Sequence, residues 1–195
     1  MDMNATTTRG RIVTAAFQLF LEHGFDGTGV NQILARSGLS KGAFYHHFKG
    51  KDEIYVEVVE DFFLKPLEQT DFEKMAALPL RDIRAILADH YANLPLDILK
   101  RSGMDMARYF AAFFEAMSRL PDMRARVQTY YLTLIEVVTD KTFAERGVAH
   151  KVAEVHSRNV IATLEGRLLL NAILGELAPM PADTLRESDT DTAAG

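Results

Sequence analysis

The sequence predicts an all-α protein. Apolar side chains recur every three or four positions along most of the chain, which is the spacing of one face of a helix. Glycines and prolines stand between these periodic stretches, where they end helices and reverse the chain. No stretch shows the apolar and polar alternation of a half-buried strand. Apolar residues make up 48% of the 195 residues, a composition typical of a globular chain with a sizeable core.

The first two helices are predicted close to the amino terminus. Apolar residues at helical spacing indicate a first helix from about Thr8 to His23, and Gly24 is a natural stop. Thr28 then caps a second helix that runs to about Ser37.

A very short third helix follows a glycine turn. Gly38 can adopt φ > 0 and so reverse the chain, and Ser40 is a good N-cap for a helix over 41–47. Phe44 and Phe48 lie four residues apart on one face and can hold this helix against a core. Two short helices joined by a glycine turn form a helix-turn-helix, whose second helix enters the major groove of DNA.

The rest of the chain is predicted to be a helical body. A fourth helix starts near Lys51 and continues to about Leu64, before Pro66. The stretch 66–80 is interpreted as a connection with one helical turn at most, and 95–103 as irregular because Pro95 and Gly103 bound it. Further helices are predicted over 81–93, 104–119, 121–145 and 150–177. Residues 179–195 have almost nothing to bury and are predicted to be a disordered tail.

Charge is distributed unevenly between the two ends of the chain. Residues 1–51 carry six Lys or Arg and three Asp or Glu, a net charge of +3, whereas residues 52–195 carry a net charge of −8. A basic head on an acidic body indicates that only the head meets an anion, although chance asymmetry in a short segment is the alternative.

Several classes of site and location are not expected. The absence of cysteine rules out disulfides and thiolate metal sites and fits a reducing compartment. No signal peptide or membrane-spanning run is evident, so we expect a cytoplasmic protein without membrane partners. The adjacent His46 and His47 are poorly spaced for metal ligation on a helix, and we predict no metal site or cofactor.

The third helix presents a chemically mixed face. With both phenylalanines turned inward, Lys41, Gly42, Tyr45 and His46 are left to point outward. A cation, a phenol, an imidazole and a glycine at one exposed helix end suit a phosphate backbone and a groove floor. For Lys41 the alternative is an ordinary solvated lysine, and for Ala43 a helix residue of good propensity.

The amino-terminal quarter resembles the TetR-type one-component transcriptional regulators. The similar stretch runs from about Arg9 to Ile54 and reads IVTAAFQLFLEHGFDGTGVNQILARSGLSKGAFYHHFKGKDEIY after Arg11. The resemblance rests on the glycine after helix one, the threonine before helix two, and SKGAFYHHF followed by Lys51. It departs from the family at Leu34, where an alanine is usual, and at Gly29 and Val30, where hydroxyl side chains are common.

The resemblance implies a dimer that binds a pseudopalindromic operator and releases it when a small effector enters the helical body. The corresponding domains are a helix-turn-helix DNA-binding domain over 1–50, a ligand-binding and dimerisation domain over 51–178 and the tail over 179–195. The outcome is most often repression. The candidate DNA-binding residues are Thr28, Asn31, Ser40, Lys41, Gly42, Ala43, Tyr45, His46, His47 and Lys51.

The body carries more aromatic residues than close packing needs, which is compatible with an apolar effector cavity, while for any single one of them a place in a simple core is the favoured alternative. The candidate effector-binding residues are Phe62, His90, Tyr91, Tyr109, Phe110, Phe113, Met117, Tyr130 and Tyr131. The last helix is apolar over a broad arc, which favours a four-helix subunit interface over a helix buried within one monomer. The candidate interface residues are Val160, Leu164, Leu168 and Asn171.

Two other classes of function compete with the regulator. An enzyme is disfavoured because the chain lacks the H-E-x-x-H and G-x-S-x-G motifs, a phosphate-binding loop and a cysteine nucleophile. A helical carrier of hydrophobic molecules without a DNA role remains the alternative, and the charged head argues against it.

Overall fold

The protein is helical throughout the part of the chain that its structure, a computed structural model, describes, namely residues 7–175. No strand occurs within those residues, and the predicted all-α class is confirmed. A π-helical segment, Glu60–Leu64, joins α4 to α5. The α-helices are α1 (Thr8–His23), α2 (Val30–Ser37), α3 (Lys41–His47), α4 (Lys51–Val59), α5 (Lys65–Glu68), α6 (Phe72–Ala77), α7 (Leu80–Ser102), α8 (Met106–Arg119), α9 (Pro121–Arg146) and α10 (His150–Leu174).

The chain divides into two compact units. Unit 1 comprises Met1–Asp71 and Ile98–Leu132, and unit 2 comprises Phe72–Asp97 and Thr133–Gly195. The whole predicted head, α1 to α3, therefore lies in unit 1. The functional division of the chain at residues 50 and 178 stays a prediction, and the tail predicted over 179–195 lies outside the described residues.

Aromatic rings dominate the core of unit 1. The ring of Phe17 on α1 stacks face to face on that of Phe62, with centroids 3.8 Å apart. The next residue, Phe63, meets the edges of Tyr109 and Phe113 on α8 at 5.1 and 5.6 Å. The π-helical segment therefore contacts both the head and α8 through consecutive side chains.

Two prolines that were predicted to interrupt helices do not do so. The helical path runs from Lys51 to Glu68 through Pro66, which follows the π-helical segment. A π-turn is a common accommodation where the regular hydrogen-bond ladder is broken. Helix α7 likewise continues through Pro95, although an internal proline costs about 3 kcal/mol. Tyr91 and Ile98 are buried on either side of Pro95, and their burial favours the continuous helix.

The core of unit 2 is largely aliphatic. Its buried side chains come from α6, the first part of α7, the second part of α9 and α10, and they include Ile83, Leu87, Leu134, Val138, Val160, Ile161, Leu164 and Leu168. A polar contact joins two of its helices, since the Tyr91 hydroxyl donates to Glu165. Within residues 7–175, no helix combines the length and the apolar character that crossing a bilayer requires.

Candidate nucleic-acid interface

Helix α3 has only seven residues and depends on its neighbours for stability. Gly38, at φ 65° and ψ 31°, ends α2 in the left-handed region as predicted. The Ser40 side chain accepts a hydrogen bond from the Ala43 N–H at 3.2 Å, which confirms it as the N-cap of α3. Phe44 and Phe48 are 0% and 1% exposed and anchor the helix in the core of unit 1.

The opposite face of α3 is open to solvent. Lys41, Gly42, Tyr45 and His46 are exposed, and Ala43 and His47 are partly buried. The Lys41 ammonium lies 5.9 Å from the centre of the Tyr45 ring, so the cation and the phenol form one surface. A Cβ at Gly42 would meet only Ser40 Oγ, at 3.9 Å, so packing within the chain does not require glycine there. This face offers hydrogen-bond donors together with a position of close approach.

The predicted role of Thr28 is wrong on two counts. Helix α2 begins at Val30 with Gly29 as its N-cap, and the Gly29 N–H donates to the Gln32 side chain at 2.6 Å. Thr28 is 2% exposed, and its hydroxyl lies 2.8 Å from the Gly24 carbonyl and 3.1 Å from that of Leu19. A buried hydroxyl with these acceptors stabilises the turn and is not available to a phosphate. Asn31 is exposed in the first turn of α2, where a phosphate contact remains a prediction.

Lys51 also makes contacts within the chain. Its ammonium donates to the Phe25 carbonyl at 2.8 Å and lies 4.0 Å from the centre of the Phe25 ring. On the other side of this connection, Glu115 of α8 accepts the Phe25 N–H at 3.2 Å. Lys51 therefore fixes the α1–α2 connection, and its predicted phosphate contact stays a prediction.

Two arginines of α1 hold the ends of the helix-turn-helix, and sequence reasoning counted them only as charges. Arg11 Nη2 donates to the Ser37 carbonyl at 2.7 Å, and Arg9 Nη1 donates to the His47 carbonyl at 3.3 Å. Arg9 also pairs with Glu57 of α4, whose carboxylate raises the pKa of the guanidinium. Since the partners lie 26 to 48 residues away, no local pattern could have revealed these contacts.

The candidate effector-binding residues fall in different units. Phe62, Tyr109, Phe113, Met117 and Tyr131 are partly buried against the core of unit 1. In the same unit, the ring centres of Phe110 and Tyr109 are 6.4 Å apart, and those of Tyr130 and Tyr131 are 5.3 Å apart. His90 and Tyr91 belong to unit 2, where their own rings are 5.5 Å apart.

Three of the four predicted dimer-interface residues are buried within unit 2 and are not available to a partner subunit. Val160, Leu164 and Leu168 are 7%, 0% and 3% exposed, and Asn171 is partly buried, so this line of α10 packs inside unit 2. Because the helix is apolar over a broad arc, the sequence pattern does not show which of its two apolar faces is buried. Its exposed apolar residues lie on another face, and the large ones are Val152, Val155, Leu169, Leu170, Ile173 and Leu174.

Among residues 7–175, no group of three His, Cys, Asp or Glu side chains is arranged to hold a metal ion. The His46 and His47 rings lie edge to face with centres 5.0 Å apart. Both imidazoles lie in the last turn of α3, where His46 is exposed and His47 is partly buried.

Comparison with known proteins finds a family match in the amino-terminal part of the chain. Residues 12–58 match the family model for bacterial regulatory proteins of the tetR family. The HTH-type transcriptional regulator LmrA of Bacillus subtilis is 42% identical over 60 residues, which cover 30% of this chain and 32% of LmrA. The HTH-type transcriptional repressor AcnR of Corynebacterium jeikeium is 23% identical over 177 residues, covering 91% of this chain and 85% of AcnR.

The fold is similar to solved regulators over most of the chain. SmeT, the repressor of the Stenotrophomonas maltophilia multidrug efflux pump SmeDEF, matches with a TM-score of 0.59 and 26% identity. This match covers 89% of the present chain and 83% of SmeT. The SmeT–triclosan complex matches with the same TM-score at 24% identity, over 87% and 84% of the two chains. The head is therefore similar in sequence to the tetR family of bacterial regulatory proteins, and the helical fold is similar over most of the chain to that of a solved repressor.

Proposed function

We propose that this protein is a DNA-binding transcriptional regulator of the tetR family, a dimeric repressor that binds a pseudopalindromic operator and releases it when a small effector binds the helical body. The observation that carries the proposal is the open face of α3, held by two fully buried phenylalanines. Such a helix keeps its orientation while it presents polar groups to a groove.

Each residue on the open face of α3 makes a particular contact to the DNA. Lys41 reaches guanine O6 and N7 or a phosphate, while Gly42 allows the backbone of the DNA to approach closely. The Tyr45 hydroxyl donates to a phosphate, and Ala43 meets a thymine methyl group. His46 and His47 add donors at the end of the helix.

The contacts that flank α3 fix its register on the duplex. Ser40 precedes α3, and Asn31 lies in the first turn of α2. Their side chains donate to phosphates, which position the protein without reading sequence.

The exposed face of α10 is the proposed dimer interface, in place of the buried line that the sequence favoured. Seven of the exposed and partly exposed residues of α10 recur at alternating spacings of three and four, namely Val152, Val155, Asn159, Ala162, Gly166, Leu169 and Ile173. This is the heptad pattern of two packed helices. A Cβ at Gly166 would meet nothing within 4 Å in the chain, so packing within the chain does not require glycine at the position where a partner helix would come closest.

The second subunit gives the operator its symmetry. Two heads related by a twofold axis place their third helices in successive major grooves, about 34 Å apart. The operator is then a pseudopalindrome whose half-sites each meet one copy of Lys41 and Tyr45.

The aromatic residues of α8 and α9 support an apolar or aromatic effector. Tyr109, Phe113 and Tyr131 lie against the unit 1 core, where a flat apolar molecule can pack on their rings. SmeT, a repressor of similar fold, has been solved in complex with triclosan. Binding releases the DNA if the effector prefers a dimer whose heads are spaced wrongly for the operator.

The test combines gel shifts with a thermal-shift screen. Purified protein is mixed with the DNA upstream of its own gene at low and moderate salt, and a sharp retardation that weakens steeply with salt is expected. Small aromatic and acidic metabolites, with triclosan as one probe, are then screened for a raised melting temperature and for loss of the shift. Retardation without any effector-dependent release would overturn the effector part alone, and absence of retardation would overturn the operator part.

A further inference from the structure

The last residue of each helix of the helix-turn-helix accepts, through its carbonyl group, a hydrogen bond from an arginine near the start of α1. A helix leaves its last carbonyl groups without partners inside the helix, and it carries partial negative charge at that end. Arg11 donates to the carbonyl of Ser37, the last residue of α2, at 2.7 Å. Arg9 donates to the carbonyl of His47, the last residue of α3, at 3.3 Å.

Arg9 is held from several sides. Its Nε and Nη2 donate to the two carboxylate oxygens of Glu57 on α4, at 2.8 and 2.7 Å. The guanidinium carbon lies 4.5 Å from the centre of the Phe48 ring, which it covers. One planar, rigid fork therefore links α1, the end of α3 and α4.

We propose that Arg9 and Arg11 are positioning residues for DNA recognition, which set the orientation of α3 and α2 by binding their last carbonyl groups, without contacting DNA. This inference rests on the proposed docking of α3 in the major groove. A base contact depends on placement of the helix, whereas non-specific attraction to phosphates depends mainly on charge.

The competing role is direct phosphate binding. Arg11 is exposed and 41% of the Arg9 side chain is accessible, so exposure alone does not separate the two roles. Salt dependence does separate them. An arginine that neutralises a phosphate contributes about one unit to the slope of log affinity against log salt, and a positioning residue contributes none.

The experiment compares Arg9→Gln, Arg9→Lys, Arg11→Gln and Glu57→Ala with the unmodified full chain. Glu22→Ala is the matched control, because Glu22 forms the same kind of two-oxygen pair with Arg36 in the head but links it to no helix-end carbonyl of α2 or α3. Both glutamate variants remove one acid from unit 1, so any general electrostatic gain in DNA affinity is similar. Affinity is measured on a duplex selected from a random pool by the unmodified protein and on an unselected duplex, at several salt concentrations, with melting temperature as the fold check.

The proposal predicts a loss of specific binding only. We expect Arg9→Gln, Arg9→Lys and Glu57→Ala to weaken binding to the selected duplex roughly tenfold, the value of about one base contact, with unselected binding and salt slope unchanged. Arg11→Gln behaves similarly, and Glu22→Ala changes neither affinity. The failure of lysine to restore Arg9 would show that the fork, and not the charge, is needed.

Three results would overturn the inference. A salt slope reduced by about one in Arg9→Gln or Arg11→Gln would make that arginine a phosphate ligand. Equal losses in Glu57→Ala and Glu22→Ala would make the effect one of general stability. If specific affinity is unchanged in the four arginine and Glu57 variants but is weakened in Lys41→Ala, the positioning role is refuted and the docking of α3 stands. If Lys41→Ala also leaves specific affinity unchanged, the docking of α3 itself is refuted.

Discussion

The head and helix α10 differ in the exposure of their apolar side chains. In α3, Phe44 and Phe48 are 0% and 1% exposed, and the surface that remains is made of a lysine, a phenol, two imidazoles and a glycine. In α10, Ile173 and Leu174 are 69% and 62% exposed, and Val152 and Val155 are about half exposed. One region hides its apolar groups and displays donors, whereas the other displays apolar groups over several turns.

This difference indicates which kind of partner each surface can bind. An exposed donor-rich helix end is complementary to a polyanion, and it gains nothing from apolar contact. A continuous apolar stripe on a long helix is complementary to another apolar helix and is unfavourable in water.

A charge in the exposed stripe of α10 should have the largest effect. Val155→Glu would bury one carboxylate from each subunit in the proposed interface, and each uncompensated buried charge costs about 3–5 kcal/mol. Sedimentation should show that a dimer of the unmodified chain becomes monomeric. Ala85→Glu places the same charge on an exposed position of α7 and should leave the dimer intact. An unchanged dimer in Val155→Glu would place the subunit contact elsewhere.

Truncation of the buried side chain that anchors α3 should have the second-largest effect. Phe44→Ala removes a fully buried ring, for which about 3–5 kcal/mol of unfolding free energy is expected to be lost. Urea unfolding followed by circular dichroism measures this loss. Tyr45→Ala changes a neighbouring ring that is 50% exposed and should cost far less stability. Equal losses in the two variants would contradict the division between a buried and a displayed face.

Removal of the displayed groups should weaken DNA binding without loss of stability. Lys41→Ala should cost about 1–3 kcal/mol of operator affinity, and Tyr45→Phe less, because each removes one contact to a base or a phosphate. Gel shifts at moderate salt measure the effect, and sedimentation checks that the dimer persists. Unchanged affinity in both variants would count against the assigned contacts.

The smallest effect should come from acid titration of one ion pair. The hydrogen bonds from Arg126 lower the pKa of Glu60, which lies at the start of the π-helical segment. A carboxyl group whose pKa is lower in the folded than in the unfolded state stabilises the fold at pH values above its unfolded pKa of about 4.3. This stabilisation is lost as the pH falls through the folded pKa. Glu60→Gln should therefore be less stable than the unmodified chain at pH 7, and the difference should shrink as the pH falls through the lowered pKa of Glu60.

The urea midpoint at each pH provides the measurement for Glu60. Glu136→Gln, which changes an exposed carboxylate of α9, serves as the control. A difference between Glu60→Gln and the unmodified chain that is constant from pH 7 to pH 3 would contradict the linkage to this ion pair.

Local chemistry made the head predictable from sequence. The bounds of α1 and α3, the glycine turn and the Ser40 cap all depend on residues within a few positions of each other. The cap of α2 was misplaced because Thr28 and Gly29 both suit an N-cap, and only the distant Leu19 carbonyl shows where the hydroxyl points. Arg9 was missed for the same reason, since its partners come from other helices.

The body was less predictable because its outcome depends on packing. Prolines predicted to end helices were accommodated where buried neighbours on both sides support a continuous helix. The apolar arc of α10 contains two faces, and periodicity cannot tell which face the chain itself covers. Burial in the folded unit assigns Leu164 and Leu168 to the interior and leaves Val155 and Ile173 outside.

The most direct test of the central claim is selection of DNA from a random pool of duplexes by the purified full chain at low ionic strength. The account predicts enrichment of a pseudopalindromic motif by the unmodified protein and a failure of Lys41→Ala to enrich the same motif. Recovery of an unenriched pool by the unmodified protein, or of the identical motif by the variant, would contradict recognition through the open face of α3.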